Sequence, residues 1–267
     1  MAWLVLLMVG ACATPSPPEP AQISAMSPWR GRPVAAALAE WRDWSAIVLD
    51  GWPESLPAEP DPRLYSKVLQ YWDAVPEGPA VIRRHQQTHD ALMQGLLEVA
   101  VAGEVPLSPP LPDLSLWAHP AWSAAFISHV MARAGVPGFV FPPAAAHAAY
   151  VDLLLIRAAE DPARAAFRPQ DPASFAPQPG DLLCADRSIL PLLHWQERLA
   201  ETGQFRPMHC DLVVGNGGGL VQAVGGNVID VVALRRFPAD ADGRVLPAPP
   251  GKSPFLVVFE NRLDLAP

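Results

Sequence analysis

The sequence predicts an α+β fold, in which helices from the first part of the chain pack on an antiparallel sheet of about five strands from the last part. Three observations carry that prediction. Between Val34 and Ile156 the apolar residues recur at the three- and four-residue spacing of helices. From Gly180 onward they fall instead into short runs bounded by Gly, Pro and Asn, the pattern of strands. Between two of those runs stands Asn216-Gly217-Gly218-Gly219, a hairpin signal because Asn and Gly accept the left-handed conformations of tight turns.

Element by element, Pro33 suits a first helical position, and Val34, Leu38, Trp41, Ala46 and Val48 continue a helical stripe toward Gly51. Asp61-Pro62 opens a second helix with Leu64, Tyr65, Val68, Leu69 and Trp72 on one face, and Val81 to Ala102 is a third, weakened by Gly95. The Pro-rich stretch Pro106 to Pro112 separates this helical extension (34–112) from the main domain (113–267). Trp122 to Ala134 forms a helix capped by Gly135, and Pro142-Pro143 begins another, with His147, Val151, Leu154 and Leu155 along one side, that Asp161-Pro162 ends. Gly180 to Cys184 reads as a strand, Ile189 to Leu199 as a short helix and Met208 to Val214 as a second strand. Leu220 to Val224, Val228 to Leu234 and Phe255 to Phe259 supply three more.

Residues 1–11 contain no charged side chain, are mostly Leu, Val, Met, Trp and Ala, and are too short for a stable membrane span, which is the pattern of a signal peptide. Val9-Gly10-Ala11-Cys12 resembles a bacterial lipobox, which implies that Cys12 becomes the lipidated first residue. Residues 12–33 are rich in Pro, Ser and Ala, a composition that favours extended polyproline conformations over a core, and so read as a tether. Ala13, with no Asp at that position, resembles an outer-membrane retention signal. The expectation is a protein of the bacterial envelope, facing the periplasm and held to the membrane by its N-terminal lipid.

The net charge of −8, with no stripe of Lys and Arg, excludes nucleic acid as a partner. Without Cys12, Cys184 and Cys210 remain. They could pair in an oxidising compartment, and the sequence leaves that open. His85 and His89 share a helix face, but Gln86 stands where a zinc protease needs a glutamate base, and no third ligand is near. Gly215 to Gly219 lacks the lysine and helix of a phosphate loop, so no metal or other cofactor is expected.

Two segments carry the chemistry. Ser123 falls in the opening turn of a helix, where the dipole and free N–H groups favour an anionic nucleophile, and His209 stands at the entrance of a strand, where its imidazole could take the serine proton. Asn227, across the Asn216–Gly219 hairpin, could fix the tautomer of His209 through its amide. Each has a plainer reading: a first-turn cap for Ser123, a packed strand residue for His209, a left-handed turn residue for Asn227. Strand alternation puts Asp211 on the face of His209 and Cys210 on the opposite one. Asp211, Trp122, His147 and Arg187 are candidates for substrate contacts, with Asp211 alternatively a supporting charge behind His209 and Arg187 suited to a carboxylate. For His147 a core position is the alternative, and for Arg187 a solvated one.

Three motifs taken together, Trp122-Ser123-Ala124-Ala125-Phe126-Ile127-Ser128, Pro179-Gly180-Asp181-Leu182-Leu183-Cys184, and His209-Cys210-Asp211-Leu212-Val213-Val214 followed by Gly225-Gly226-Asn227-Val228, resemble the bacterial envelope family known as domain of unknown function 2272. That family is similar to the NlpC and CHAP branches of the papain-like superfamily. The resemblance, over Ala118 to Val232, implies a papain-like hydrolase or acyl transferase acting on peptide or amide bonds of peptidoglycan. It also places Ser123 where those enzymes have cysteine. That departure equally suits a non-catalytic lipoprotein whose cleft binds a peptide or scaffolds the envelope.

Overall fold

The computed structural model describes residue 23 and residues 26–56, 61–102 and 120–265. The signal segment, Cys12, most of the tether and the Pro106–Pro112 break lie outside the described residues. Among the described residues no helix is long and apolar enough to cross a membrane.

The strands form one seven-stranded sheet in the order β1-β6-β5-β4-β3-β7-β2, made of β1 (Val48–Asp50), β2 (Phe167–Gln170), β3 (Leu182–Asp186), β4 (Met208–Gly217), β5 (Leu220–Val228), β6 (Val231–Pro238) and β7 (Phe255–Asn261). Every pairing is antiparallel except β1 with β6. The sheet is thus wider than the expected five strands, because both edge strands escape pattern reading. The stripe that seemed to run to Val48 stops at Asp43, where helix α1 (Pro28–Asp43) ends. Ser45 and Ala46 then turn the chain through left-handed conformations, with φ of 67° and 53°, and it leaves as a three-residue strand. β2 contains Pro169, which cannot donate to a ladder and is tolerated there because β2 is an edge.

Other boundaries moved for local reasons. α1 begins at Pro28, inside the expected tether. Asp61 does cap its segment, its side chain accepting from Arg63 N–H at 3.0 Å, but the result is a 3₁₀ turn (Pro62–Lys67) followed by α2 (Val68–Asp73). α3 covers Gly78–Val101 and α4 Ser123–Arg133, with Gly135 at φ 77° beyond its end. α5 (His147–Glu160) starts four residues after Pro142-Pro143. Of the helix expected over Ile189–Leu199 only a 3₁₀ segment, Trp195–Glu201, forms; Pro191 interrupts the remainder. The strand expected over Val228–Leu234 is broken by a two-residue turn, Ile229-Asp230, both left-handed (φ 49° and 63°), which joins β5 to β6.

The main core does not divide at the Pro-rich break. Val34, Leu38 and Trp44 of the N-terminal segment, Tyr71 and Trp72 of α2, and Trp122 and Phe126 beside or within α4 share one apolar cluster with Leu212 and Val214 of β4. A smaller cluster of Leu183, Val213, Ala223, Phe237 and Val258 fills a second layer, with Trp52 and Phe255 against it. The Pro179-Gly180-Asp181 motif docks α1. Gly180 takes φ 95°, and a Cβ there would sit 3.2 Å from Arg30 Cα. Arg30 donates to Pro179 O at 3.1 Å and to Asp181 at 2.7 Å.

Candidate active site

Ser123 opens α4 with Trp122 as the preceding cap residue, and no side chain caps that end. The serine hydroxyl is turned to two imidazoles instead. Trp122, expected near substrate, is fully buried, stacks on Trp44 at 5.5 Å and packs tilted against Tyr71 at 5.5 Å, so it anchors the helix in the core. Nearly every residue of α4 from Ser123 to Met131 is buried, which leaves the helix little freedom of position. Gly226 makes the close approach to the sheet feasible, since a Cβ there would lie 2.5 Å from Phe126. Asn227 holds the entry to the helix. At φ 56°, and with its amide oriented to satisfy both ends, its oxygen accepts from Trp122 N–H at 3.2 Å and its nitrogen donates to Asp230 at 3.0 Å. Asn227 is therefore a turn residue that positions the helix, and it does not orient His209.

The orienting group is Asp211. Strand alternation sends Cys210 into the apolar cluster and leaves His209 and Asp211 together on the other face. His209 Nδ1 lies 2.9 Å from Ser123 Oγ, and its Nε2 lies 3.2 Å from Asp211 Oδ1. The pair fits only because position 225 is glycine. A Cβ there would stand 2.0 Å from Asp211 Oδ1 and 3.0 Å from His209 Nε2. Arg235 on β6 completes the arrangement, donating through Nε at 3.2 Å and through Nη2 to the two oxygens of Asp211. Asp211 is fully buried, so it supports the histidine and does not face substrate. Burial pushes its carboxyl up, but the Arg235 charge and His209 outweigh this and hold it well below the usual carboxylate range.

His147, at the start of α5, sits on the opposite side of the same hydroxyl, with Nε2 2.8 Å from Ser123 Oγ and Nδ1 bonded to Tyr150 OH. One assignment of protons satisfies all these contacts. Tyr150 O–H donates to His147 Nδ1, His147 Nε2–H to Ser123 Oγ, Ser123 O–H to His209 Nδ1, and His209 Nε2–H to Asp211. Burial favours the neutral form of both imidazoles. Burial depresses His147 well below 6.5, helped by the neighbouring His209, and burial likewise lowers His209 against the opposing pull of Asp211. Tyr150 is pushed well above 10 by burial and then by the Asp211 charge, so it keeps its proton.

His209 and Arg235 also line a cleft of about 220 Å³, together with Asn227, Arg187, Lys252, Trp52 and Phe255, whereas Ser123 is not part of its lining. Arg187, a sequence candidate, is exposed there. Cys184 and Cys210, left open by the sequence, face each other across β3 and β4 and are disulfide-bonded, one residue from the Ala185–His209 pair. Among the described residues no group of three His, Cys, Asp or Glu side chains could hold a metal ion. His85 and His89 lie on α3, away from the lining residues of the cleft.

Three participants were missed in the sequence. Tyr150 follows His147 by three residues, which places it on the same helix face, and Arg235 is the buried one of two adjacent arginines on β6, where a buried charge requires a partner. Lys252 belongs to an irregular loop that no periodicity marks.

No curated protein and no solved structure matches the chain. The model of a family described as "Uncharacterized protein conserved in bacteria (DUF2272)" matches residues 59–258, a span that contains Ser123, His147, His209, Asp211 and Arg235. The chain belongs to the DUF2272 family.

Proposed function

We propose that the protein is an envelope-tethered, papain-like hydrolase or acyl transferase that uses Ser123 as nucleophile, with peptide or amide bonds of peptidoglycan as substrate. The observation that carries this reading is the placement of Ser123 Oγ, 2.9 Å from His209 Nδ1 at the start of a helix, with the far nitrogen of the imidazole held by Asp211. A helix N-terminus set against an antiparallel sheet is the arrangement that a papain-like site requires. The disulfide supports an oxidising compartment, in keeping with an anchor at Cys12.

In the proposed reaction Ser123 Oγ attacks the acyl carbon as its proton passes to His209 Nδ1, and the carbonyl electron pair moves onto oxygen. N–H groups in the first turn of α4, which have no partner within the helix, and His147 Nε2–H are the available donors to that oxygen. The intermediate collapses, and the leaving amine departs with the proton from His209. Water, or an amine acceptor in a transferase, then gives a proton to His209 and attacks the acyl-serine, and Ser123 recovers its hydrogen. Asp211 and Arg235 hold the imidazole in the required tautomer throughout.

A second reading, a cleft that binds a peptide or scaffolds envelope partners without chemistry, is favoured by one observation: Ser123 is only 6% exposed. Incubation with p-nitrophenyl acetate followed by peptide mapping separates the two. The hydrolase reading predicts an acetyl group on Ser123 that is absent in Ser123→Ala, and no adduct on the wild-type serine would favour the binding reading.

A further inference from the structure

The cleft lined by His209, the partner of Ser123, runs against the charge of the chain. The whole protein carries −8, yet Arg187, Arg235 and Lys252 line this one cavity together with His209, and no Asp or Glu is part of its lining. Their charges are only partly spent. Arg235 gives Nε and Nη2 to Asp211 below and lines the cleft as well. Lys252 Nζ reaches Glu54 at 2.6 Å, but that carboxylate is 83% exposed, and a solvent-screened pair of this kind yields readily to a better partner. Arg187 has its backbone fixed by N–H donation to Pro207 O at 2.8 Å, while its guanidinium is paired with no carboxylate among the described residues.

Two aromatic side chains form one wall of an otherwise mostly polar cleft. Trp52 donates its indole N–H to Ser253 O at 3.2 Å and packs 5.5 Å from Phe255. A volume of about 220 Å³ admits a group the size of one amino-acid residue.

On the reading of Ser123 as a nucleophile, we propose that this cleft is a carboxylate pocket, and that the substrate bears a free carboxylate on the residue next to the scissile bond. Guanidinium forks match a carboxylate with paired N–H donors, and a clustered positive charge attracts it. Arg187 and Lys252 are the specificity-determining contacts. Arg235 contributes field while remaining tied to Asp211.

The test uses the full chain and follows fluorophosphonate labelling of Ser123 in the presence of N-acetylalanine, its carboxamide, or inorganic phosphate. The pocket predicts that N-acetylalanine slows labelling and the carboxamide does not. It also predicts that Arg187→Gln and Lys252→Gln each raise the half-protecting concentration about tenfold, the scale of one charge-assisted hydrogen bond. Labelling that the acid and the amide slow equally, or that phosphate blocks better than either, would overturn the inference and leave Ser123 a nucleophile. If Ser123 is not labelled at all, the hydrolase reading fails by itself, and the pocket is read instead from the Arg187 Nε–H resonance. A shift with N-acetylalanine but not with its amide upholds the pocket, and no shift overturns it.

Discussion

Arg198 and Ser123 each sit buried at the centre of a polar network, and the two networks use their hydrogen bonds differently. Arg198 donates from Nε and Nη2 to the two oxygens of Asp152 at 2.7 and 2.9 Å, and from Nη2 to Gln204 O at 2.6 Å. Gly203 N–H fills a further site on Asp152 at 2.8 Å. Full charges cancel there, backbone groups take what remains, and the result clamps the 3₁₀ segment to α5. Around Ser123 a line of neutral groups, Tyr150, His147, Ser123 and His209, passes its donors in one direction to a single carboxylate. A proton passed from Ser123 to His209 leaves an imidazolium beside the Asp211 carboxylate, whereas any change in the Arg198 cluster strands a buried charge. The first network holds the fold, and the second has the order of donors that the proposed mechanism requires.

That contrast breaks first at Arg198. Arg198→Ala leaves Asp152 buried and unpaired and should cost about 3–5 kcal/mol of stability, measured by urea unfolding, while fluorophosphonate labelling of Ser123 in the folded fraction stays unchanged. A loss of labelling without a loss of stability would merge the two roles.

Reduction of Cys184–Cys210 frees β3 from β4 beside His209. It should cost about 2–4 kcal/mol, the usual range for releasing such a loop, read as a fall in Tm with dithiothreitol. An unaltered Tm would show that the strand pairing holds the histidine without the bond.

Gly225→Ala probes the site network alone. Its new Cβ would stand 2.0 Å from Asp211 Oδ1, so the carboxylate must shift. Overpacking of this kind should cost about 1–3 kcal/mol, and labelling should slow more than the loss of folded protein explains. A normal labelling rate would remove Asp211 from the proposed mechanism.

The smallest effect is one of pH. His209 and His147 are held below 6.5 in the folded state, chiefly by burial, so the unfolded chain binds protons that the folded protein refuses. Stability from these two residues is complete above pH 6.5 and is lost as the pH falls from 6.5 toward their depressed values. The labelling rate, which needs neutral His209, should keep its plateau at pH 6.5 and decline only below it. A half-maximal rate above pH 6.5 would contradict the depressed imidazole.

Much of this arrangement was legible in the residues because it rests on local rules. Strand alternation separates His209 from Cys210 whatever the rest of the chain does, and a small hydroxyl residue ahead of an apolar helical run marks a helix start facing the sheet. Of the two roles open to Asn227 the structure realises the turn; a side-chain amide eighteen residues from a histidine says nothing about register. The hairpin in fact places Gly225 against the His209–Asp211 pair and leaves Asn227 in the turn. β1 and β2 were hidden because three- and four-residue edge strands, one of them containing proline, carry too little pattern to stand out from a loop. The two-histidine grip on Ser123 depends on how α5 packs against α4, a tertiary fact that no periodicity encodes.

The central claim is that His209 activates Ser123, and the most direct measurement is the rate of fluorophosphonate labelling at Ser123 in the wild-type chain and in His209→Ala, followed by intact-protein mass spectrometry. The account predicts a single adduct on Ser123 in the wild type and a rate lower by about 10²–10⁴ in the variant, the usual contribution of a positioned base. Equal rates in the two proteins, or a folded wild type that never labels, would contradict it.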